Sequence, residues 1–387
     1  MHIPSLKQQF QVAFSYDVHF TEGLFNADNT LIRDVLKQDG GAEPRKIFFV
    51  VDDGVAAQHP QLMGAITSYV AAHADVMQLS GPITVIPGGE QCKNEPALVQ
   101  QLLDAVNTYH IDRHSYFVGI GGGAVLDLVG YVASVAHRGI RHIRIPTTVL
   151  SQNDSGIGVK NSVNAFGKKN FLGNFAPPYA VLNDFEFLLT LEDRDWRGGI
   201  AEALKVSLIK DAKFFAFIQY NAAKLAARDM PAMQYLIHRC AEMHLQHIAG
   251  GDPFEQGSSR PLDFGHWSAH KLEQLSNYRI RHGEAVAIGI ALDSVYSHLQ
   301  GRITEAELDQ IISVIRTLGF ALYEPEMSVH LADAAHPQSM QHGLQEFREH
   351  LGGKLTIMLL EKIGRGVEVH EMDGQLVEEA VRKLQQY

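Results

Sequence analysis

The sequence predicts a Rossmann-like α/β N-terminal domain followed by a mostly α-helical domain, on three observations. Short apolar runs alternate with helical patterns through the first half, as strand–helix–strand units do. One such run passes straight into Gly121-Gly122-Gly123, a glycine turn at a strand end. From about Glu192 long helical patterns dominate. A chain of 387 residues more naturally forms two domains than one, and the expected division is 1–187 and 188–387.

In chain order, Lys46–Val51 (KIFFVV) reads as a strand rich in Phe and Val, and ITVIPGG within Asp75–Gly89 as a second, ending in glycines. Glu95–His110 is helical in pattern, with Leu98, Leu102 and Val106 on one side. Ser115–Ile120 (SYFVGI) is a third strand, and AVLDLVGYVASVAHRG after the glycine run is helix-like. His142–Ile145 makes a short strand before Pro146-Thr147-Thr148, and PPYAVLNDFEFLLTL leads out of the sheet region. Helices are then expected over Ile200–Gln219, Pro231–His247, His282–Leu299 and Glu305–Thr317. Strand-like text returns near Lys354–Leu360 and Gly366–His370, and Leu376–Leu384 reads as an amphipathic helix.

A formal net charge of −11 with no basic block argues against a nucleic-acid partner, while a few local Lys and Arg residues can still serve a small anionic substrate. Two cysteines, Cys92 and Cys240, are too few for a disulfide scaffold. The N-terminal MHIPSLKQQF lacks the basic-then-apolar order of a signal peptide, and no apolar run reaches the roughly 18 residues of a membrane span. A soluble, cytoplasmic protein without membrane association is expected.

GGGAVLD lacks the G-x-G-x-x-G spacing, yet glycines between a strand and a helix let a ligand approach backbone amides, and the helix start favours phosphate. The competing reading is a tight turn packed on the sheet. Asp127 lies one turn into that helix, and Pro87-Gly88-Gly89-Glu90 with Lys93 is a candidate for another wall of the cleft.

Three later segments carry metal-ligand types: Glu202 in WRGGIAEALK, His266 in LDFGHWSAH and His282 in RHGEAVAIGI. One carboxylate and two imidazoles are a common catalytic zinc set that leaves a position open. Glu202 and Lys205 are three apart on an expected helix, and His266 and His270 four apart, so each pair shares a face if its segment is helical. Gly265 and Gly283 would permit crowding near a ligand. Against this, most histidines are surface or core residues, and spacing alone does not make the three converge. The stretch SQNDSGIGVKNSVNAFGKKNFLGNF, with Asp154, Lys160, Asn161, Asn164, Lys168, Lys169 and Asn170, suits a loop gripping a hydroxylated or phosphorylated ligand, or a solvated surface loop.

In order, GGGAVLDLVGYVA, RIPTTVLSQNDSGIGVKNSVN, GKKNFLGNF, GIAEALKVSLIKD, FGHWSAH and RHGEAVAIGI resemble the landmarks of the dehydroquinate synthase-like sugar phosphate cyclases over most of the chain. The resemblance implies an NAD-binding α/β domain, a helical metal- and substrate-binding domain, catalysis between them and a homodimer. It implies that Glu202, His266 and His282 bind zinc or cobalt. It assigns NAD contacts to Asp52, Glu90, Lys93, Gly122, Gly123, Asp127, Thr147, Thr148 and Lys169. Asp154, Lys160, Asn170, Lys205, Glu255 and His270 resemble substrate-pocket residues, and Arg138 resembles an arginine that reaches phosphate in the neighbouring subunit's site.

The departures bear on substrate. Dehydroquinate synthases carry Asn at the position of Asp263, and their upstream arginine aligns with Ser259, beside Arg260. Their late Lys-Lys pair is replaced by a stretch, Phe347 to Gly353, that contains His350. A carboxylated substrate rewards arginine and lysine, whereas an aspartate repels it and accepts hydroxyl protons. The pattern resembles the valiolone-type cyclases, which use sedoheptulose 7-phosphate: transient oxidation by NAD, loss of phosphate, re-reduction and aldol closure. The retained His270 is less typical of their 2-epi-5-epi-valiolone branch, and it is a candidate proton-transfer group. A true 3-dehydroquinate synthase, a glycerol dehydrogenase-like polyol dehydrogenase and a non-catalytic binding protein are the rival readings.

Overall fold

The computed structural model describes residues 3, 5–41, 43–250, 253–254, 262–350 and 353–387, with 350 described in its backbone alone. Seven parallel strands form the main sheet: β1 Asp17–Thr21, β2 Arg45–Asp52, β3 Met77–Leu79, β4 Thr84–Ile86, β5 Tyr116–Gly121, β6 Arg141–Pro146 and, beyond the antiparallel hairpin β7 Lys160–Ala165 and β8 Lys168–Phe175, β9 Ala180–Asp184. The order is β1-β9-β6-β5-β2-β3, with β4 also paired to β2.

Both faces of this sheet are covered, which explains the unbroken apolar runs of β2 and β5. Ile47, Phe49 and Val51 pack with α1 Leu31–Lys37 and α3 Leu62–Ala72, the latter preceded by the short α2 Asp53–Gln58. Phe48 and Val50, pointing the other way, pack with α4 Pro96–Thr108 and α5 Gly123–Val135. Register aligns the carboxyl ends of β2, β4, β5 and β6, with Asp52 opposite Ile86 and Gly121 opposite Pro146. Ligands of parallel α/β sheets bind at such an edge.

The rest is mostly helical: α6 Asp193–Lys210, α7 Ala212–Ala226, α8 Met230–Ala249, α9 His266–Leu275, α10 His282–Leu299, α11 Glu305–Thr317 and α12 His342–His350. A hairpin, β10 Ile357–Lys362 and β11 Arg365–Val369, precedes α13 Gly374–Leu384. Residues from Ala285 to Ser297 of α10 are buried all round, so this helix is the axis of the second core. None of the described helices is long and apolar enough to cross a membrane.

Two expectations need correction. The pattern over Ile200–Gln219 is two helices: Asp211 ends α6 with an extended backbone and caps α7 through Lys213 N at 3.0 Å and Phe214 N at 3.1 Å. The polar stretch expected to be a loop is a π-helical turn, Ser151–Ser155, followed by the β7–β8 hairpin. Phe166 (φ 54°) and Gly167 (φ 70°) form its two-residue turn, both left-handed as a type I′ turn requires. β1, β3 and the first helices add to what the sequence reading named.

Candidate active site

Glycines bring the three ligand-bearing helices together. A Cβ on Gly283 of α10 would lie 2.2 Å from the Gly198 carbonyl of α6, and one on Gly289 would lie 2.0 Å from the Gly265 carbonyl. Gly265 itself has φ 78° and faces the α10 backbone. The crowding expected around a ligand is thus helix-to-helix contact, and it sets the distances between Glu202, His266 and His282.

Glu202 Oε1 lies 3.6 Å from His266 Nε2 and 3.4 Å from His282 Nε2. Its Oε2 is 2.5 Å from Lys205 Nζ. Glu202 is 1 % exposed, and neither of its oxygens has a hydrogen-bonding partner of good geometry among the described residues. Oε2 is thus ion-paired with Lys205, while the two imidazole nitrogens facing Oε1 fit a divalent cation between them. His266 Nδ1 faces the Phe264 carbonyl at 3.2 Å, and His282 Nδ1 faces Glu273 Oε2 at 3.2 Å. The His270 ring centroid lies 5.7 Å from that of His266 and 6.0 Å from that of His282, at the same site.

Charge is distributed accordingly. Burial raises the Glu202 carboxyl, but Lys205 and the two histidines outweigh it and hold it well below the usual range. Burial, reinforced by Lys205, lowers His266 to about 3, leaving it neutral near pH 7. Burial also lowers His282, but Glu202 and Glu273 lift it to about 10. Lys205 stays charged: burial is outweighed by Glu202 and Asp154, with Asp263 adding to them.

Beside this cluster is a cavity of about 460 Å³ lined by Asp127, Asp154, Lys160, Asn170, His244 and His247, among others. His244 Nδ1 lies 2.8 Å from Asp154 Oδ1. Burial raises the Asp154 carboxyl, and His244 brings it below its ordinary value. Arg144, fully buried on β6, fixes the loop beneath by donating to the Gly156, Gly158 and Lys160 carbonyls and to Asn161 Oδ1.

At the sheet edge, Asp52 Oδ1 accepts from Gly54 N at 2.8 Å, and a Cβ on Gly88 would lie 2.4 Å from that carboxylate. Gly122 is the N-cap of α5, and Gly123 leaves room only for Ser155 Oγ, 2.5 Å from its virtual Cβ. Thr147 N donates to Gly121 O, and Thr148 adjoins Gly122. Lys93, 4 % exposed, donates to Asp127 at 2.7 Å, Ser162 at 3.1 Å and Asn170 at 2.5 Å. Glu90 accepts from Asn164 Nδ2 at 2.9 Å. Lys169, expected at NAD, donates to Glu273 at 2.8 Å and lies over the Tyr278 ring.

Arg138 is exposed, does not line this cavity and has φ 61°, next to His137 at 52°. Glu255, Ser259 and Arg260 lie outside the described residues, as does the His350 side chain. The sequence reading missed His244, Arg144 and Glu273. Glu273 had a signal, seven residues after His266 on the same helix face; His244 and Arg144 had none.

The 3-dehydroquinate synthase N-terminal model matches residues 83–198, and the 3-dehydroquinate synthase C-terminal model residues 199–339. The chain is 31% identical over 370 residues to 2-epi-valiolone synthase of Actinosynnema mirum, covering 95% of this chain and 92% of that one. The chain belongs to the dehydroquinate synthase-like sugar phosphate cyclase family. Another cyclase of the family, 3-dehydroquinate synthase of Nitrosococcus oceani, is 29% identical over 371 residues, covering 95% and 96%. The solved 2-epi-5-epi-valiolone synthase of Streptomyces hygroscopicus subsp. jinggangensis, with NAD⁺ and Zn²⁺ bound, superposes with a TM-score of 0.84 at 30% identity, covering 98% and 99%.

Proposed function

We propose that this cyclase converts sedoheptulose 7-phosphate into a valiolone-type seven-carbon cyclitol and releases inorganic phosphate, with NAD and a zinc or cobalt ion. Asp263 carries the substrate choice. It adds to Glu202 and Asp154 in acting on Lys205, so three carboxylates surround one buried ammonium. A substrate carboxylate brought there meets like charge, whereas hydroxyls donate to Asp263. The relatives named as valiolone synthases agree with this assignment.

Glu202, His266 and His282 would hold the metal, and Asp52, Glu90, Lys93, Gly122, Gly123, Asp127, Thr147, Thr148 and Lys169 would hold NAD. When bound, NAD takes up and returns a hydride, and the metal supplies Lewis-acid polarisation. Lys160, Asn170 and Lys205 orient the substrate oxygens; Lys205 keeps its charge at Nζ between Glu202 and Asp154. His270 is the proton-transfer group beside the metal ligands. Arg138 serves the phosphate of the partner site in a homodimer, and Glu255 and His350 are assigned to substrate recognition by the family resemblance alone.

The test is turnover with NAD⁺ and Zn²⁺ or Co²⁺, following phosphate release and identifying the product by NMR. Sedoheptulose 7-phosphate is expected to turn over and the carboxylated seven-carbon phosphate of dehydroquinate synthesis to turn over poorly. The reverse preference would make the chain a 3-dehydroquinate synthase.

A further inference from the structure

We infer that Glu273 is a positioning residue for the metal: it accepts the proton that His282 keeps on Nδ1, so that Nε2, turned toward Glu202, is the nitrogen that gives up its proton when a metal binds. The inference rests on the metal-site reading above and adds a residue to it.

Both imidazoles are arranged alike. His266 Nδ1 faces a backbone carbonyl and His282 Nδ1 faces a carboxylate, each at 3.2 Å, and both oxygens only accept. Each contact therefore fixes a proton on Nδ1 and turns Nε2 toward the same Glu202 oxygen. For His266 the backbone does this wherever the Gly265–His266 turn forms. For His282 it depends on one side chain from another helix.

Glu273 is itself held. Its side chain is 5 % exposed, and its other oxygen accepts from Lys169 Nζ at 2.8 Å. Lys169 belongs to β8 and Glu273 to α9, so the ion pair joins the hairpin to the helical core. Carboxylates that receive the second ring proton of a metal-binding histidine fix its tautomer and orientation.

His270, Glu273 and His282 also lie close enough to form a second cation site. Lys169 argues against one, because its ammonium already neutralises Glu273. Two metals would also require His282 to give up both ring protons. Glu273 is assigned the supporting role, and one metal per chain follows.

The test is competition of Zn²⁺ against a chromophoric chelator, with metal stoichiometry and the visible spectrum of the Co²⁺ protein, for wild type, Glu273→Ala and Glu273→Gln. Wild type is expected to bind one metal. Glu273→Ala is expected to lose about 10–100-fold in affinity and to change the Co²⁺ bands, with the metal-free fold unchanged by circular dichroism. Glu273→Gln, which still accepts from Nδ1, is expected to lose less than Ala; if Ala does not fold, the Gln variant decides by its affinity and Co²⁺ bands. A folded Ala variant, or failing that a Gln variant, with wild-type affinity and spectrum would overturn the role of Glu273 and leave the metal site standing. Two metals in wild type would make Glu273 a ligand instead. A wild type that binds none would overturn both.

Discussion

Glu202 has lost its hydration at 1 % exposure, and a single ammonium at 2.5 Å does not saturate its two oxygens. Two imidazole nitrogens converging on its Oε1, at 3.4 and 3.6 Å, are the physical reason a cation belongs there. In the proposed function Asp263 has a different job, tuning the cleft without belonging to the ligand trio. Asp263→Asn is expected to lower kcat/KM for sedoheptulose 7-phosphate by about tenfold, the scale of one charge-assisted hydrogen bond. NAD affinity, measured by fluorescence titration, should stay near wild type. Unchanged turnover would remove Asp263 from the specificity argument.

Among the elements, the helix contacts decide whether the ligands meet. Gly283→Ala puts a methyl group 2.2 Å from the Gly198 carbonyl, so α6 and α10 must separate. The expected cost is about 1–3 kcal/mol, read as a lowered thermal midpoint, together with weaker metal binding by titration. Asp211→Ala removes the cap of α7 and the partner of Arg239, 2.6 Å away. Burial raises the Asp211 carboxyl, but Arg239 and the capping amides outweigh it and hold it below its ordinary 3.8. Its contribution, about 1 kcal/mol, is therefore present above pH 3.8 and lost as pH falls through the lower folded value. The difference in thermal midpoint between Asp211→Ala and wild type should narrow over that acid range.

These elements also show what was readable beforehand. The α10 and α11 limits followed from apolar periodicity and matched residue for residue. The β7–β8 hairpin was hidden because β8 is exposed along almost its whole length, so no apolar alternation marks it. Asp211 was overlooked because the residues on both sides continue a helical pattern. Ligand types were legible at Glu202, His266 and His282, but their convergence depends on backbone contacts at Gly198, Gly265, Gly283 and Gly289. Such contacts join segments distant in sequence and leave no spacing to read.

In the whole molecule, a parallel sheet aligns its carboxyl ends along one edge, and the helical core brings the metal trio together. Lys93 ties the β4 loop to α5 and the hairpin, and Lys169 continues from the hairpin to Glu273. On the proposed reading, a dinucleotide at the edge and a metal at the trio would address one substrate between them. The fold is also shared by the glycerol dehydrogenase of Schizosaccharomyces pombe, at a TM-score of 0.60 and 14% identity, so architecture alone does not choose between net oxidation and cyclisation. The decisive measurement is the redox balance of a complete reaction on sedoheptulose 7-phosphate, following NADH absorbance and phosphate together. The account predicts one phosphate released per substrate consumed, with NAD⁺ fully recovered at the end. NADH accumulating in step with substrate loss, without phosphate release, would contradict it.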